Sequence, residues 1–282
     1  MKHSNLIIYK VYRRVISTLI NLVARQTNYD ISNTTLIIGS ARSGTTFLME
    51  SINQDNEYRL IFEPFNNTYT SEWSKFATRE YIDPALPEAD KKNAIHKILI
   101  GQLRNTWIDR YNRKIRSNKR LIKAVRANLL VEHIRTEYPD LQIIYLVRNP
   151  YDVVASRINM NFDPRDIYQV LEQTDFLAKH YSDIDREALI KRLNTNEARH
   201  AALWCIENRY LLASIIQFDL HHLQYEDIIG KAITIKNNEL RLIKKESKPS
   251  ASSSLRETYK LSPSEKNNIA QILKLFGIED FN

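Results

Sequence analysis

The run Ile38-Gly39-Ser40-Ala41-Arg42-Ser43-Gly44-Thr45-Thr46 constrains this chain most, because it uses two of only five glycines. It follows the apolar stretch Leu36-Ile37-Ile38 and opens a helical one, Phe47-Leu48-Met49-Glu50-Ser51-Ile52. Strand, glycine turn and helix N-terminus in that order make an anion cradle. Free backbone N–H groups and the positive end of the helix dipole then face the same point. The Gly-x4-Gly spacing matches a P-loop, yet Thr45 stands where the P-loop lysine belongs. Thr46 keeps the Ser/Thr place, and the nearest cation, Arg42, comes before the second glycine. A nucleoside triphosphatase without that lysine loses the charge on its β/γ-phosphates. The loop reads as a phosphate site of the wrong kind for ATP hydrolysis.

A second segment repeats the pattern. Leu141 to Val147 reads as a buried strand ending in Arg148-Asn149-Pro150, and Tyr151 to Arg157 as a helix with Pro150 near its start. Arg148 at the strand end and Ser156 two turns into the helix are placed to bind a second phosphate. Further strands are expected at 34–40, 58–63, 120–125 and 220–225, and helices at 45–54 and 128–138. A long helix is expected from about Lys91 to Arg116, and a long helix or helix pair over Arg186–Gln217 with a break at Asn194-Thr195-Asn196. This alternation argues for an α/β fold of three layers, P-loop-like, with a central parallel sheet flanked by helices. Residues 1–30 form a basic amphipathic helix ahead of one domain over 31–282, with a helical and aromatic insertion at about 66–118.

The chemistry of these residues has a family resemblance. GSARSGTTFL resembles the 5′-phosphosulfate loop of sulfotransferases that use 3′-phosphoadenosine-5′-phosphosulfate (PAPS), and YLVRNPYDVVASR their 3′-phosphate motif. Phe62-Glu63-Pro64-Phe65-Asn66 and Leu223-Gln224-Tyr225-Glu226-Asp227 are similar to elements of bacterial and Golgi-type carbohydrate sulfotransferases. Leu261 to Gly277 resembles their closing helix. The landmarks come in family order over about positions 34 to 280. The resemblance implies sulfuryl transfer from PAPS to a carbohydrate hydroxyl, on a surface polysaccharide or lipid-linked glycan, without a metal. It also implies that Arg42, Ser43, Gly44, Thr45 and Thr46 hold the phosphosulfate, with Arg42 neutralising charge as the nucleotide leaves. Arg148 and Ser156 match the 3′-phosphate pair, and Ser253 and Arg256 lie where a loop closes over the nucleotide.

Glu63 is the candidate base, because it ends a strand at a rigid Glu-Pro step beside the loop; the alternative has it holding an arginine or a helix N-terminus. Lys123-Ala124-Val125-Arg126 contains no histidine, so the histidine base of many cytosolic members is absent, and Lys123 reads as a strand-end lysine. Arg148 has its own alternative, a pair with Asp152. Phe65, Tyr69, Trp73, Phe76, Tyr81, Trp107 and Tyr111 crowd the insertion; such rings stack on sugars, but most are expected in the core.

Net charge +8 and pI near 9.4 are compatible with a polyanionic partner, but no zinc spacing, RNP-type motif or repeat accompanies them, so no nucleic acid is expected. Basic residues interrupt the N-terminal apolar positions, which excludes the span of about 20 apolar residues that a membrane crossing needs. Tyr9, Tyr12, Ile16, Leu19 and Val23 recur at helical spacing, which suits peripheral membrane contact through residues 5–24 or docking on the protein's own body. The lone Cys205 forms no internal disulfide, and a glycan on the sequon Asn66-Asn67-Thr68 would obstruct Glu63. A cytoplasmic placement follows as the simplest, and contact with the inner membrane face stays open beside docking of the helix on the protein's own body. Two other function classes compete: a P-loop small-molecule kinase, which needs Mg²⁺ and an acid near Thr46, and a non-enzymatic basic adaptor for membrane or RNA.

Overall fold

The computed structural model describes Val15, Leu19 and residues 23–236, 239–244 and 259–278. A two-residue strand, β1 (Arg25–Gln26), precedes β2 (Thr34–Ile38), and α1 (Thr45–Ile52) connects β2 to β3 (Arg59–Phe62). Next come α2 (Ala89–Leu99), β4 (Arg116–Ser117), β5 (Arg120–Lys123), α3 (Val131–Glu137), β6 (Gln142–Val147) and α4 (Pro150–Asn159). Four helices follow: α5 (Asp166–Leu171), α6 (Thr174–His180), α7 (Arg186–Arg192) and α8 (Asn196–Phe218). The chain ends with β7 (His221–Gln224), α9 (Tyr225–Ile228), the hairpin of β8 (Lys231–Lys236) and β9 (Glu239–Lys244), and α10 (Pro263–Leu275).

The principal sheet has the order β3-β5-β2-β6-β7, and each neighbouring pair is parallel. β2 is central and buried at all five positions, as an apolar strand covered on both faces must be. Side-chain alternation then sorts the core. Leu36, Ile38, Ile143 and Tyr145 face α8, whereas Ile37, Leu121, Ile144 and Leu146 face Leu48 and Met49 of α1. Leu48 and Met49 are fully buried, each contributing about 1.5–3 kcal/mol. They fix how α1 leaves the loop after β2. The three-layer α/β fold is the one expected from the alternation of elements.

Helix boundaries follow local chemistry. Asn149 caps α4 by accepting the Tyr151 N–H at 3.0 Å, and Pro150 occupies the first turn, where its missing N–H is harmless. Thr195 caps α8 by accepting from Ala198, so the segment from Arg186 is a helix pair. The helix expected from about Lys91 to Arg116 instead stops at Leu99. Downstream, the Asn105 side chain accepts from the N–H groups of Trp107 and Ile108 at 2.9 and 2.8 Å, a local turn that competes with helix. The N-terminal helix expected over 1–30 gives way at Arg25–Gln26, which pair in parallel with Arg116–Ser117. Most of residues 5–24 lie outside the described residues. Among the described residues no helix is long and apolar enough to cross a membrane.

Candidate active site

Every strand of the principal sheet delivers a side chain to its carboxyl end. The glycine loop follows β2, Glu63 follows β3, Lys123 ends β5, Arg148 follows β6 and Tyr225 follows β7. The chain crosses from β2 out to β3, returns to β5, and then passes to β6 on the other side of β2. Such a reversal leaves a crevice at the strand ends. Here it is a cleft of ≈ 480 Å³ lined by parts of all five segments. Its walls carry Arg42, Arg79, Lys123, Arg126 and Arg148 against Glu63 and Asp166, so the cleft is cationic.

The loop is shaped for an anion. Gly44 is at φ 92° and precedes α1 with no side chain capping the helix, which leaves the first N–H groups open to a ligand. A Cβ on Gly44 would stand 2.4 Å from the Tyr225 ring, so the backbone passes directly under that ring. The Ser43 hydroxyl is buried and has no hydrogen-bond partner. A buried orphan beside an uncapped helix start is what a phosphate or sulfate oxygen would satisfy.

The loop is also tied down from beneath. Gly39 N–H donates to Asn128 Oδ1 at 3.0 Å, the Ser40 hydroxyl donates to Glu207, and the Ala41 carbonyl accepts from Arg157 Nε at 3.1 Å. Glu207, fully buried in α8, accepts in addition from Arg79 Nε at 2.7 Å and Arg157 at 3.5 Å. Arg79 reaches on to Asp166 at 2.7 Å, on the cleft wall. Burial opposes the charge of both guanidiniums. Glu207 and Asp166 more than reverse this for Arg79, whereas Arg157 is left below the ordinary arginine value.

Opposite the loop, Glu63 is clamped. Its carboxylate accepts from the Lys123 ammonium, from the Val125 N–H at 3.3 Å and from Arg126 at 3.3 Å. Glu63 is 2 % exposed, and its own N–H donates to the Lys123 carbonyl at 2.8 Å. Burial pulls the Lys123 ammonium below the usual lysine value, with Glu63 acting against that shift. The alternative for Glu63, holding an arginine, is thus part of the geometry, and Lys123 is more than a strand-end lysine. Phe62, Trp107 and Tyr111 line the same side, with Tyr69 stacked on Trp107 at 4.0 Å. Of the seven rings singled out in the sequence, Phe65 and Trp73 are fully buried, Phe76, Tyr81, Trp107 and Tyr111 pack against the core from its margin, and Tyr69 is exposed.

The second phosphate pair divides. Ser156 accepts from Arg42 Nε at 3.0 Å, which joins the two motifs. Arg148 lies over the Tyr225 ring at 4.4 Å and donates to Asp152 at 3.1 Å, the pairing foreseen as its alternative. Its Nε is buried without a partner. Arg42, Gly44, Thr45, Thr46, Glu63 and Arg148 therefore meet at one cleft, whereas Ser253 and Arg256 lie outside the described residues. Sequence reasoning missed Asn128, Arg79, Arg157 and Glu207. The signal it passed over was Glu207-Asn208-Arg209 inside the otherwise apolar stretch Ala201 to Leu212 of α8.

Backbone strain falls on the same residues. Among the described residues five non-glycines have positive φ, and Arg42 (78°) and Glu63 (46°) are two of them. Such conformations cost on the order of 1–3 kcal/mol and persist where the surroundings enforce them.

A sulfotransferase from Alicyclobacillus acidocaldarius is similar in structure over 69% of this chain and 73% of that one, at 15% identity and a TM-score of 0.31. No curated protein matches the chain. The model of the sulfotransferase family matches residues 35–235, which include the loop, the Glu63 clamp and the Arg148 segment, and the chain belongs to that family.

Proposed function

We propose that this protein moves a sulfuryl group from PAPS to a hydroxyl of a carbohydrate acceptor, a surface polysaccharide or a lipid-linked glycan. The observation that carries the reading is one cationic cleft with an uncapped helix start on one wall and the Glu63–Lys123–Arg126 clamp on the other. PAPS supplies, when bound, a sulfuryl group on a phosphate leaving group. Ser43, Gly44, Thr45 and Thr46 hold the phosphosulfate through hydroxyls and backbone N–H groups, and the orphaned Ser43 hydroxyl fits that task. Arg42, fixed by Ser156, balances charge growing on the leaving phosphate. Arg148, with a guanidinium nitrogen left unsatisfied, serves the 3′-phosphate, and Ser253 and Arg256 belong to the segment that closes over the nucleotide.

Glu63 takes the acceptor proton. Lys123 and Arg126 hold and aim its carboxylate, and the longer contact, to Arg126 at 3.3 Å, is the one an entering hydroxyl displaces. Phe62, Trp107 and Tyr111 give that side of the cleft apolar faces of the kind that pack on sugar rings.

Calorimetric titration with adenosine 3′,5′-bisphosphate beside ATP, each with and without Mg²⁺, tests the reading. Metal-independent binding of the bisphosphate, with ATP much weaker, is expected. Mg²⁺-dependent ATP binding without response to the bisphosphate would sink it and favour a kinase.

A further inference from the structure

We propose that the N-terminal helix docks this protein on an anionic lipid surface. Val15, Leu19 and Val23 are helical and 52%, 58% and 58% exposed. Spaced by four, they share one face of the helix. More than half of each of these three side chains is open to solvent. The helix is nevertheless anchored where it ends. Ala24 is buried, its carbonyl accepts from Arg104 at 2.8 Å, and β1 pairs with β4 immediately afterwards. The apolar face is therefore presented from a fixed point on the domain.

Charge selects the occupant. Residues 1–29 contain Lys2, Lys10, Arg13, Arg14 and Arg25, and the first acidic residue of the chain is Asp30. An apolar face on a segment with five cations and no anion is suited to the interface of an anionic leaflet. A second copy of the chain is disfavoured, since it would bring the same unopposed cations against these. An apolar groove on another protein would leave the charge without a role.

The full-length chain is sedimented with vesicles of phosphatidylcholine, alone or with roughly 30% phosphatidylglycerol. It is expected to pellet with the anionic vesicles, and to pellet less as salt is raised. Arg13→Gln together with Arg14→Gln lowers the partition about fivefold per charge removed. Leu19→Asp with Val23→Asp abolishes pelleting while leaving the binding of adenosine 3′,5′-bisphosphate unchanged; both positions are exposed, so the fold tolerates them. Equal pelleting with neutral vesicles, or pelleting indifferent to the aspartates, overturns the proposal. So does a wild-type dimer that the aspartates dissociate without any vesicle binding, or retention of single-stranded RNA with no affinity for vesicles. Because bisphosphate binding is read separately, a failure here is distinguishable from a failure of the sulfotransferase reading.

Discussion

Glu207→Gln tests whether buried charge holds the phosphate loop in place. The Glu207 carboxylate is fully buried and meets three donors: Arg79 Nε at 2.7 Å, Arg157 at 3.5 Å and the Ser40 hydroxyl. Arg79 and Arg157 are themselves 3% and 1% exposed. After the substitution Arg79 keeps the Asp166 carboxylate at 2.7 Å, but Arg157 is left with neutral acceptors alone, the amide at position 207 and the carbonyls of Ala41 and His200. A hydrogen bond to a charged group contributes about 1.5–3 kcal/mol and a neutral one about 0.5–1.5, so three downgraded bonds lose roughly 3 kcal/mol. Removing one partner of a buried ion pair costs about 3–5 kcal/mol, which brackets the same figure from another direction. Urea unfolding followed by tryptophan fluorescence reads this as a lower midpoint at unchanged slope. Titration with adenosine 3′,5′-bisphosphate reads the functional half, because Ser40 and Ala41 lose what fixes them. A Gln variant within about 1 kcal/mol of the wild type refutes the electrostatic account, and so does a Glu207→Met variant as stable as the parent.

Three other outcomes are expected. Gly44→Ala forces a side chain into positive φ, about 1–2 kcal/mol, and drives a Cβ to 2.4 Å from Tyr225; thermal midpoint and bisphosphate affinity fall together, and an unchanged affinity would remove the turn from the site. Glu63→Gln lowers turnover roughly a hundredfold or more while bisphosphate affinity holds. Surviving turnover with an unaltered pH profile would move the base elsewhere. His200 is held down to about 4 by burial and by Arg157, so the unfolded chain binds a proton that the folded chain refuses. Stability is then full above about pH 6.5 and falls on acidification to about pH 4, by on the order of 2–3 kcal/mol, and His200→Gln flattens that slope in urea midpoints taken across the window.

What was legible in this sequence was local, and what was hidden was long-range. The loop after β2 and the Arg148 turn after β6 are contiguous, and strand patterning alone predicts that both open at one sheet edge. The cluster beneath them is scattered: Ser40 and Glu207 are 167 positions apart, and Arg79 and Glu207 are 128. A buried arginine has no local mark that separates it from a solvated one; only its partners do. Backbone strain is hidden for the same reason, and it bears directly on the proposed roles. Glycine would occupy positive φ at positions 42 and 63 without steric cost, yet the chain has Arg at φ 78° and Glu at φ 46°. Glu63 also precedes Pro64, which restricts its backbone further, and the Lys123 carbonyl holds it there. Packing does not require a cation exposed at the cleft or a carboxylate clamped between Lys123 and Arg126. Side chains kept where their backbones are strained are what a demand for their chemistry predicts, and that supports Arg42 and Glu63 as the residues that act on the transferred group.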